Sequence, residues 1–253
     1  MRFERIAPCE RLKPYIKYFA ISESIEATTY KVLPSFGLVM GFQYRGQLSA
    51  VVTTNEIKLA NTGISGMANS FKTFKNSENI GTILVYFTEV GFAAFSSCPA
   101  NELFNHSISL TEIFNQQKIA DIEEKLQRAN TDEARISMVE KFLLNEMKVT
   151  AQDQLVIAAV KLIYETKGSL RIKQLNEKLA ISQSPFEKRF RKLVGISPKK
   201  FSSIVRFHQV LQELDSAKSF AEICYENNYF DQSHLIKDFK QFTGETPENF
   251  RLF

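Results

Sequence analysis

Cysteine is scarce in this sequence, and no long hydrophobic run occurs. The three cysteines, Cys9, Cys98 and Cys224, lie far apart without CxxC spacing, which argues against a disulfide framework and against a zinc site. No segment approaches the roughly 20 consecutive apolar residues of a membrane helix. The first residues mix both charge signs where a signal peptide would carry an apolar run. We therefore expect a cytoplasmic protein with reduced, mostly buried cysteines and no membrane segment.

Histidine is equally rare, and the common catalytic motifs are missing. The three histidines, His106, His208 and His234, form no metal-binding constellation, and no GxGxxG, GxxxxGK or GxSxG motif occurs. An active site needs several such groups in one place. We predict no enzymatic activity, no cofactor and no metal site.

Length and charge indicate two domains with different roles. The 253 residues, 44% hydrophobic and 24% charged, suffice for two ordinary domains. Residues 1–167 hold 18 basic and 18 acidic residues, whereas residues 168–253 hold 14 and 10. Residues 186–206 contain seven basic residues and one acidic residue, Glu187. Such local basicity is expected at a phosphate-binding surface, although a solvated helix face gives the same pattern.

An internal repeat occupies the last eighty residues. Residues 182–201 align without gaps on residues 231–250 at an offset of 49, pairing Phe190 with Phe239 and Gly195 with Gly244. Upstream the offset is 48, so the second copy has gained one residue, which we assign to Phe230. Each copy reads as helix, short turn and helix.

Caps and periodicity orient the second helix of each copy. Asp231 is the predicted N-cap in copy two, and Ser182 or Ser184 in copy one; Gly195 and Gly244 are the predicted C-terminal stops. At 100° per residue, the apolar side chains of each helix face inward and the polar ones outward. The predicted inner faces are Phe186, Phe190 and Leu193, then Leu235, Phe239 and Phe242; the outer faces are Ser184, Lys188 and Arg191, flanked by Glu187, then Ser233, Lys237 and Lys240, flanked by Gln232 and Ile236.

This pattern resembles the C-terminal domain of AraC-type transcriptional regulators over residues 160–253. The resemblance is carried by Leu175, Ser182, Phe186, Phe190, Gly195, Ile196, Ser197, Pro198, Phe201, Arg206, Ile223, Tyr229, Asp231, Ser233, Leu235, Phe239, Gly244, Thr246, Pro247, Phe250 and Arg251. It implies an all-α domain of two helix-turn-helix units whose recognition helices enter major-groove segments about 34 Å apart. Asn176 stands where the family usually has alanine, and Ala180 and Asn228 stand where it has turn glycines.

The resemblance also implies roles for the outer faces. Base edges would be read by Ser184, Glu187, Lys188, Gln232, Ser233, Ile236 and Lys237. Phosphates would be held by Arg191, Lys192, Lys199, Lys200, Arg206 and Lys240. For Ile236, contact with a thymine methyl and partial burial at a helix edge are both open.

The first hundred residues have a strand pattern instead of a helical one. Short β-branched or aromatic runs at 37–45, 48–52, 56–60 and 80–88 predict strands of a barrel or sandwich. Residues 8–18, 33–34, 64–66 and 85–92 also resemble an uncharacterised domain often found ahead of AraC-type helix-turn-helix regions. Eight aromatic residues of this part could line an effector pocket or form core, so the effector site stays unknown. They are Tyr15, Tyr18, Phe19, Phe36, Phe42, Tyr44, Tyr86 and Phe87.

Between these parts the sequence predicts helices at 119–129, 132–148 and 151–166, the last with a cap signal at Thr150 and Asp153. A stripe of Ile136, Val139, Phe142 and Leu143 could pair with a second copy or pack on its own chain. The predicted fold class is α+β with two domains. A β-rich barrel-like or sandwich-like sensing or dimerisation domain spans 1–115, a helical connector 116–166, and an all-α double helix-turn-helix domain 167–253.

We expect a bacterial-type regulator that binds double-stranded DNA sequence-specifically. The resemblance adds a small-molecule effector, a homodimer and RNA polymerase as candidate partners. The alternative is a protein-interaction scaffold whose helix-turn-helix units no longer read bases; steep salt dependence of binding would separate the two.

Overall fold

A computed structural model of the protein describes residues 1–148, 152–214 and 218–250. Ten strands come first: β1 (Arg2–Ile6), β2 (Ile16–Ser24), β3 (Thr28–Val32), β4 (Val39–Arg45), β5 (Leu48–Val52), β6 (Asn55–Lys58), β7 (Thr62–Ser65), β8 (Lys72–Asn76), β9 (Ile80–Phe87) and β10 (Ser107–Ser109). Eight α-helices follow: α1 (Gln116–Arg128), α2 (Asp132–Glu146), α3 (Gln154–Glu165), α4 (Ile172–Lys178), α5 (Gln183–Val194), α6 (Pro198–Glu213), α7 (Phe220–Glu226) and α8 (Gln232–Thr243).

The strands form two antiparallel sheets. The larger has the order β1-β2-β9-β4-β7-β10, and the smaller has the order β3-β8-β5-β6. Within residues 1–148 neither strand order closes on itself, so the predicted β-rich domain is of the sandwich kind and the barrel alternative is wrong. All four predicted strands are present, as β4, β5, β6 and β9.

Side-chain alternation separates the two faces of the larger sheet. Met40 and Phe42 of β4 are fully buried, as are Ile83 and Val85 of β9. These side chains belong to the core that the helices cover; the rings of Phe42 and Phe142 lie 5.8 Å apart. The intervening residues of both strands face the smaller sheet instead.

The predicted aromatic residues divide between core and surface sites. Phe19, Phe42 and Phe87 are fully buried and Tyr44 nearly so, as the core interpretation requires. Tyr86 stacks on Tyr18 with ring centroids 4.5 Å apart and lines the space between the sheets. The cysteines are less buried than predicted, because Cys9 and Cys98 are half-exposed and Cys224 alone is buried.

The three connector helices are present and pack on both parts of the chain. Ile136, Val139, Phe142 and Leu143 of α2 are all buried within the chain, so this stripe is not available to a second copy. Asp153 caps α3 by accepting a hydrogen bond from the Val156 amide at 3.2 Å. Thr150 lies outside the described residues.

Direct contacts join the front part of the chain to the last helices. The Nε2 atom of His208 on α6 lies 2.7 Å from the Pro34 carbonyl oxygen, and its ring lies 4.3 Å from that of Phe36. Lys31 of β3 forms a 2.5 Å ion pair with Glu245, just after α8. The two parts therefore meet through specific polar contacts.

Candidate nucleic-acid interface

The structure reproduces the repeat helix by helix. The helices α5 and α8 have bounds that differ by 49 residues at both ends, and α4 and α7 have bounds that differ by 48. The extra residue therefore lies in the second turn. Phe230 is 93% exposed there, as expected of an insertion that the core does not accommodate. Both predicted helix-turn-helix units are confirmed.

Equivalent turn residues have left-handed backbones. Ala180 has φ 49° and Asn228 has φ 55°, at the two positions where sequence analysis placed substitutes for glycine. The C-caps Gly195 and Gly244 have φ 100° and 81°, which glycine adopts without steric cost. A Cβ atom on Gly244 would meet the Phe71 ring at 2.7 Å, so the front part of the chain packs against the end of α8.

The N-terminal ends of the recognition helices differ in how they are capped. The helix α5 begins at Gln183, so its N-cap is Ser182 and not Ser184, the other candidate. The Ser182 side chain makes no capping hydrogen bond. Asp231 caps α8 as predicted, accepting a hydrogen bond from the His234 amide at 2.7 Å. A capping side chain typically contributes about 1 kcal/mol, so α8 has the firmer start.

The inner faces hold both units in place. Phe186 and Phe190 on α5 and Leu235, Phe239 and Phe242 on α8 are fully buried, as predicted. Leu193 is only half-buried; Val194 is the fully buried residue at that end of α5. These contacts fix which side of each helix can face a ligand.

The outer face of α5 carries an internal ion pair. Ser184, Lys188 and Arg191 are exposed and Glu187 is half-buried. Glu187 Oε1 accepts hydrogen bonds from Arg191 Nη2 at 2.7 Å and from Arg191 Nε at 3.0 Å. Lys188, at the centre of this face, has no ion-pair partner in the part of the chain that the structure describes.

The outer face of α8 is more open. Gln232, Ser233, Lys237 and Lys240 are exposed, and Ile236 is half-buried beside them, an intermediate position that leaves both interpretations of Ile236 open. Among the described residues no carboxylate lies within ion-pair distance of Lys237 or Lys240.

The remaining predicted phosphate contacts have varied surroundings. Lys199 at the start of α6 is exposed. Lys200 lies with its Nζ atom 4.4 Å from the Phe242 ring centroid, and burial lowers the pKa of its amine. Arg206 lies over the Tyr229 ring at 4.9 Å, and its Nη1 donates to the Asn228 carbonyl at 3.4 Å. The charged ends of both residues therefore contact the second unit within the protein.

Lys192 borders a cleft between α5 and the front part of the chain. The cleft has a volume of about 460 Å³, and Tyr15, Cys98 and Arg189 also line it. Arg189 is tied down by Asp153, with Nη2 to Oδ2 2.8 Å and Nε to Oδ2 2.9 Å. No sequence pattern indicates this ion pair, because the two residues are 36 positions apart.

Asn176 places a buried polar side chain inside the first unit. The residue is only 8% exposed, and its Oδ1 atom has no hydrogen-bond partner among the described residues. An unsatisfied buried polar atom typically costs about 1–3 kcal/mol. The equivalent residue of the second unit, 48 positions on, is the buried Cys224.

Metal-binding clusters and membrane-spanning helices are absent from the described residues. No group of three or more His, Cys, Asp or Glu side chains there could hold a metal ion. His234 and Asp238, one turn apart on α8, are 4.0 Å from each other and have no third partner of that kind. None of the described helices is both long and apolar enough to cross a membrane.

Comparison with known protein families gives two matches. Residues 175–252 match a family described as a helix-turn-helix domain. Residues 4–109 match a family described as a domain of unknown function, DUF6597. The first match covers both units except for the first three residues of α4, and the second covers β2 to β10 in full and residues 4–6 of β1.

The individual proteins that this chain is similar to share low sequence identity with it. The chain is 26% identical over 156 residues to the Msm operon regulatory protein of Streptococcus mutans serotype c, which covers 60% of this chain and 56% of that protein. The match thus spans little more than half of that relative. A crystal structure of ToxT from Vibrio cholerae O395 is 13% identical, with 90% of this chain and 94% of ToxT covered and a TM-score of 0.46. The xylose-binding transcription activator xylR is 19% identical over 46% of this chain and 37% of its own, with a TM-score of 0.35.

Proposed function

We propose that the protein is a cytoplasmic, sequence-specific DNA-binding transcriptional regulator of the AraC type, from the premise that residues 175–252 match a family described as a helix-turn-helix domain. The observation that carries the proposal is the duplication of one unit with a polar, basic outer face. Both copies have recognition helices of 12 residues, closed by a left-handed glycine and backed by buried phenylalanines. Two such helices can enter successive major-groove segments of one duplex.

The exposed ends of the two helices suit base recognition. Lys188 and Lys237 occupy the same position on α5 and α8, and a lysine in the major groove pairs with the O6 and N7 atoms of guanine. Gln232, exposed at the start of α8, can pair with adenine. Ser184, Glu187, Ser233 and Ile236 complete the proposed base-reading set.

Phosphate contacts surround this set. Lys192, Lys199 and Lys240 are exposed and can hold the DNA backbone. Arg191 can do so once it separates from Glu187. Contacts by Lys200 and Arg206 stay a prediction, since their charged ends would have to leave the rings of Phe242 and Tyr229.

The front of the chain has the proposed role of sensing a small effector or of mediating dimerisation. A homodimer and a contact with RNA polymerase remain predictions of the same kind. The division of the chain at residues 115 and 166 is likewise a working proposal. Catalysis has no place in this function.

The proposal is tested by the salt dependence of DNA binding. Full-length protein is titrated into a pool of random-sequence duplexes, and binding is followed by fluorescence anisotropy between 50 and 200 mM salt, the range over which counterion release is steep. Several phosphate contacts give an affinity that falls steeply with salt, with a slope of about −0.9 per neutralised phosphate.

Two variants and one control sharpen this test. Lys240→Ala should reduce the slope by about 1, as expected for a phosphate contact. Lys237→Ala should weaken binding to the best duplex by about 1–3 kcal/mol, as expected for a base contact. Lys141→Ala, an exposed lysine on α2, should change neither quantity. Absence of binding at low salt, or binding that salt does not weaken, would favour the scaffold alternative.

A further inference from the structure

An apolar cleft of about 410 Å³ lies between the two sheets of the front domain. The larger sheet contributes the residues that alternate with its core, including Gly41 of β4 and Leu84 of β9. The smaller sheet contributes Leu48 of β5 and Phe74 of β8. The volume falls within the range of roughly 300–1,000 Å³ that is typical of small-molecule sites.

The charges around this cleft are of one sign. Its lining includes Lys31, Lys72 and the amino-terminal Met1, and no aspartate or glutamate of the described residues. An apolar site with a few convergent polar groups is the usual form of a ligand pocket. The asymmetry of charge favours a ligand that is negatively charged over one that is neutral or cationic.

The two lysines differ in what they already bind. Lys31 is paired with Glu245 at 2.5 Å and reaches the Thr243 carbonyl at 3.3 Å. Lys72 donates to the His106 carbonyl at 3.0 Å and to the Ser107 hydroxyl at 3.1 Å. Both partners of Lys72 are neutral, and no carboxylate of the described residues is within ion-pair distance of its amine. Burial alone lowers the pKa of Lys72 to about 8.

A half-buried ammonium without a counter-ion is costly. We propose that the cleft binds an apolar molecule with one anionic group, whose apolar body lies between the sheets and whose anion pairs with Lys72. The cleft is a candidate effector site for the function proposed above. The two proposals succeed or fail separately, because the test below uses no DNA.

Two probes with the same ring system test the charge requirement. The first is 8-anilinonaphthalene-1-sulfonate, and the second is N-phenyl-1-naphthylamine, which lacks the sulfonate. Binding to full-length protein is followed by probe fluorescence. The anionic probe should bind more tightly than the neutral one, because the sulfonate can pair with Lys72.

Variants separate charge from volume. Lys72→Met should weaken the anionic probe by about tenfold, the value of one charge-assisted hydrogen bond, and leave the neutral probe unchanged. Lys75→Met, on the opposite face of β8 and paired with Glu56, is the matched control and should alter neither. Gly41→Leu should weaken both probes, because a Cβ at Gly41 makes ordinary contacts with Leu84 and Thr82 and a longer side chain fills the cleft.

The pH dependence provides an independent readout. The titratable groups of the lining besides Lys72 are Lys31, Tyr30, Tyr86 and the amino group of Met1. Burial raises the pKa of both tyrosines, to about 12 for Tyr86; the His106 ring is exposed. Among the lysine and tyrosine side chains, Lys72 therefore loses its charge first as the pH rises from 7 to 9, and comparison with Lys72→Arg separates its contribution from that of the Met1 amino group. Affinity for the anionic probe should fall over this interval in the wild type. Lys72→Arg should fold, keep the affinity and remove the part of the fall that Lys72 causes, because arginine stays charged.

Three results would overturn the inference. One is that Lys72→Met, with a wild-type circular dichroism spectrum, binds the anionic probe as the wild type does. Another is that wild-type protein binds neither probe. The third is that affinity for both probes falls as protein concentration rises, which would mean that a second copy covers the cleft.

Discussion

Replacing Ala180 with glycine should stabilise the protein, although it removes a methyl group. Ala180 forms the turn between α4 and α5, its φ is 49°, and its side chain is exposed. The left-handed conformation costs an L-residue roughly 1–2 kcal/mol, because Cβ approaches the following carbonyl oxygen. Since the methyl group is exposed, little packing is lost with it.

The net gain is smaller than the strain that is removed. Glycine loses about 0.5–1 kcal/mol more chain entropy than alanine on folding. We therefore expect Ala180→Gly to raise the free energy of unfolding by about 0.5–1 kcal/mol. For a chain of this length, that corresponds to a rise of about 2 °C in the melting temperature.

Two controls make the result interpretable. Ala120→Gly makes the same chemical change at an exposed position inside α1, where glycine costs about 1 kcal/mol, and should lower the melting temperature. Asn228→Gly changes the equivalent turn, and its effect should be near zero because asparagine tolerates the left-handed region. If Ala180→Gly proves as destabilising as Ala120→Gly, the strain argument for the first turn is wrong.

Three further predictions concern other parts of the chain. Asn176→Ala should raise the free energy of unfolding by about 1 kcal/mol, because it removes a buried oxygen without a partner; a loss of stability in urea denaturation would contradict this. Burial lowers the pKa of His208 below 6.5, so the unfolded chain binds more protons, and stability should fall as the pH drops from about 6.5 through the lower folded-state pKa; His208→Gln should be flat over that window. Glu187→Gln should release Arg191 and make the salt dependence of DNA binding steeper by about 1; an unchanged slope would remove Arg191 from the phosphate contacts.

The helix-turn-helix half of the fold is predictable from sequence because each copy of the repeat can be checked against the other. Two aligned copies fix the helix bounds, the position of the insertion and the left-handed turn residues, since each feature must fit both copies. The front domain offers no such check. The strands β1 and β3 are almost wholly exposed, and β7 and β10 have four and three residues, so hydrophobic alternation does not reveal them.

Charge counts alone also misjudge individual side chains. Lys200 and Arg206 are as basic in sequence as Lys199, yet they lie over the rings of Phe242 and Tyr229. The Lys72 amine is distinguished by the surface that buries it and by the absence of an acidic neighbour, neither of which a linear pattern records. The ion pair of Lys31 with Glu245 joins residues 214 positions apart, which is beyond any motif.

Selection of random duplex DNA on purified full-length protein, with the bound sequences read at two salt concentrations, shows whether both units read DNA. We expect an asymmetric motif with two short conserved blocks about one helical turn, or roughly 34 Å, apart. Lys188→Ala should relax one block and Lys237→Ala the other. Absence of any enriched sequence at either salt concentration would contradict DNA reading by the two units.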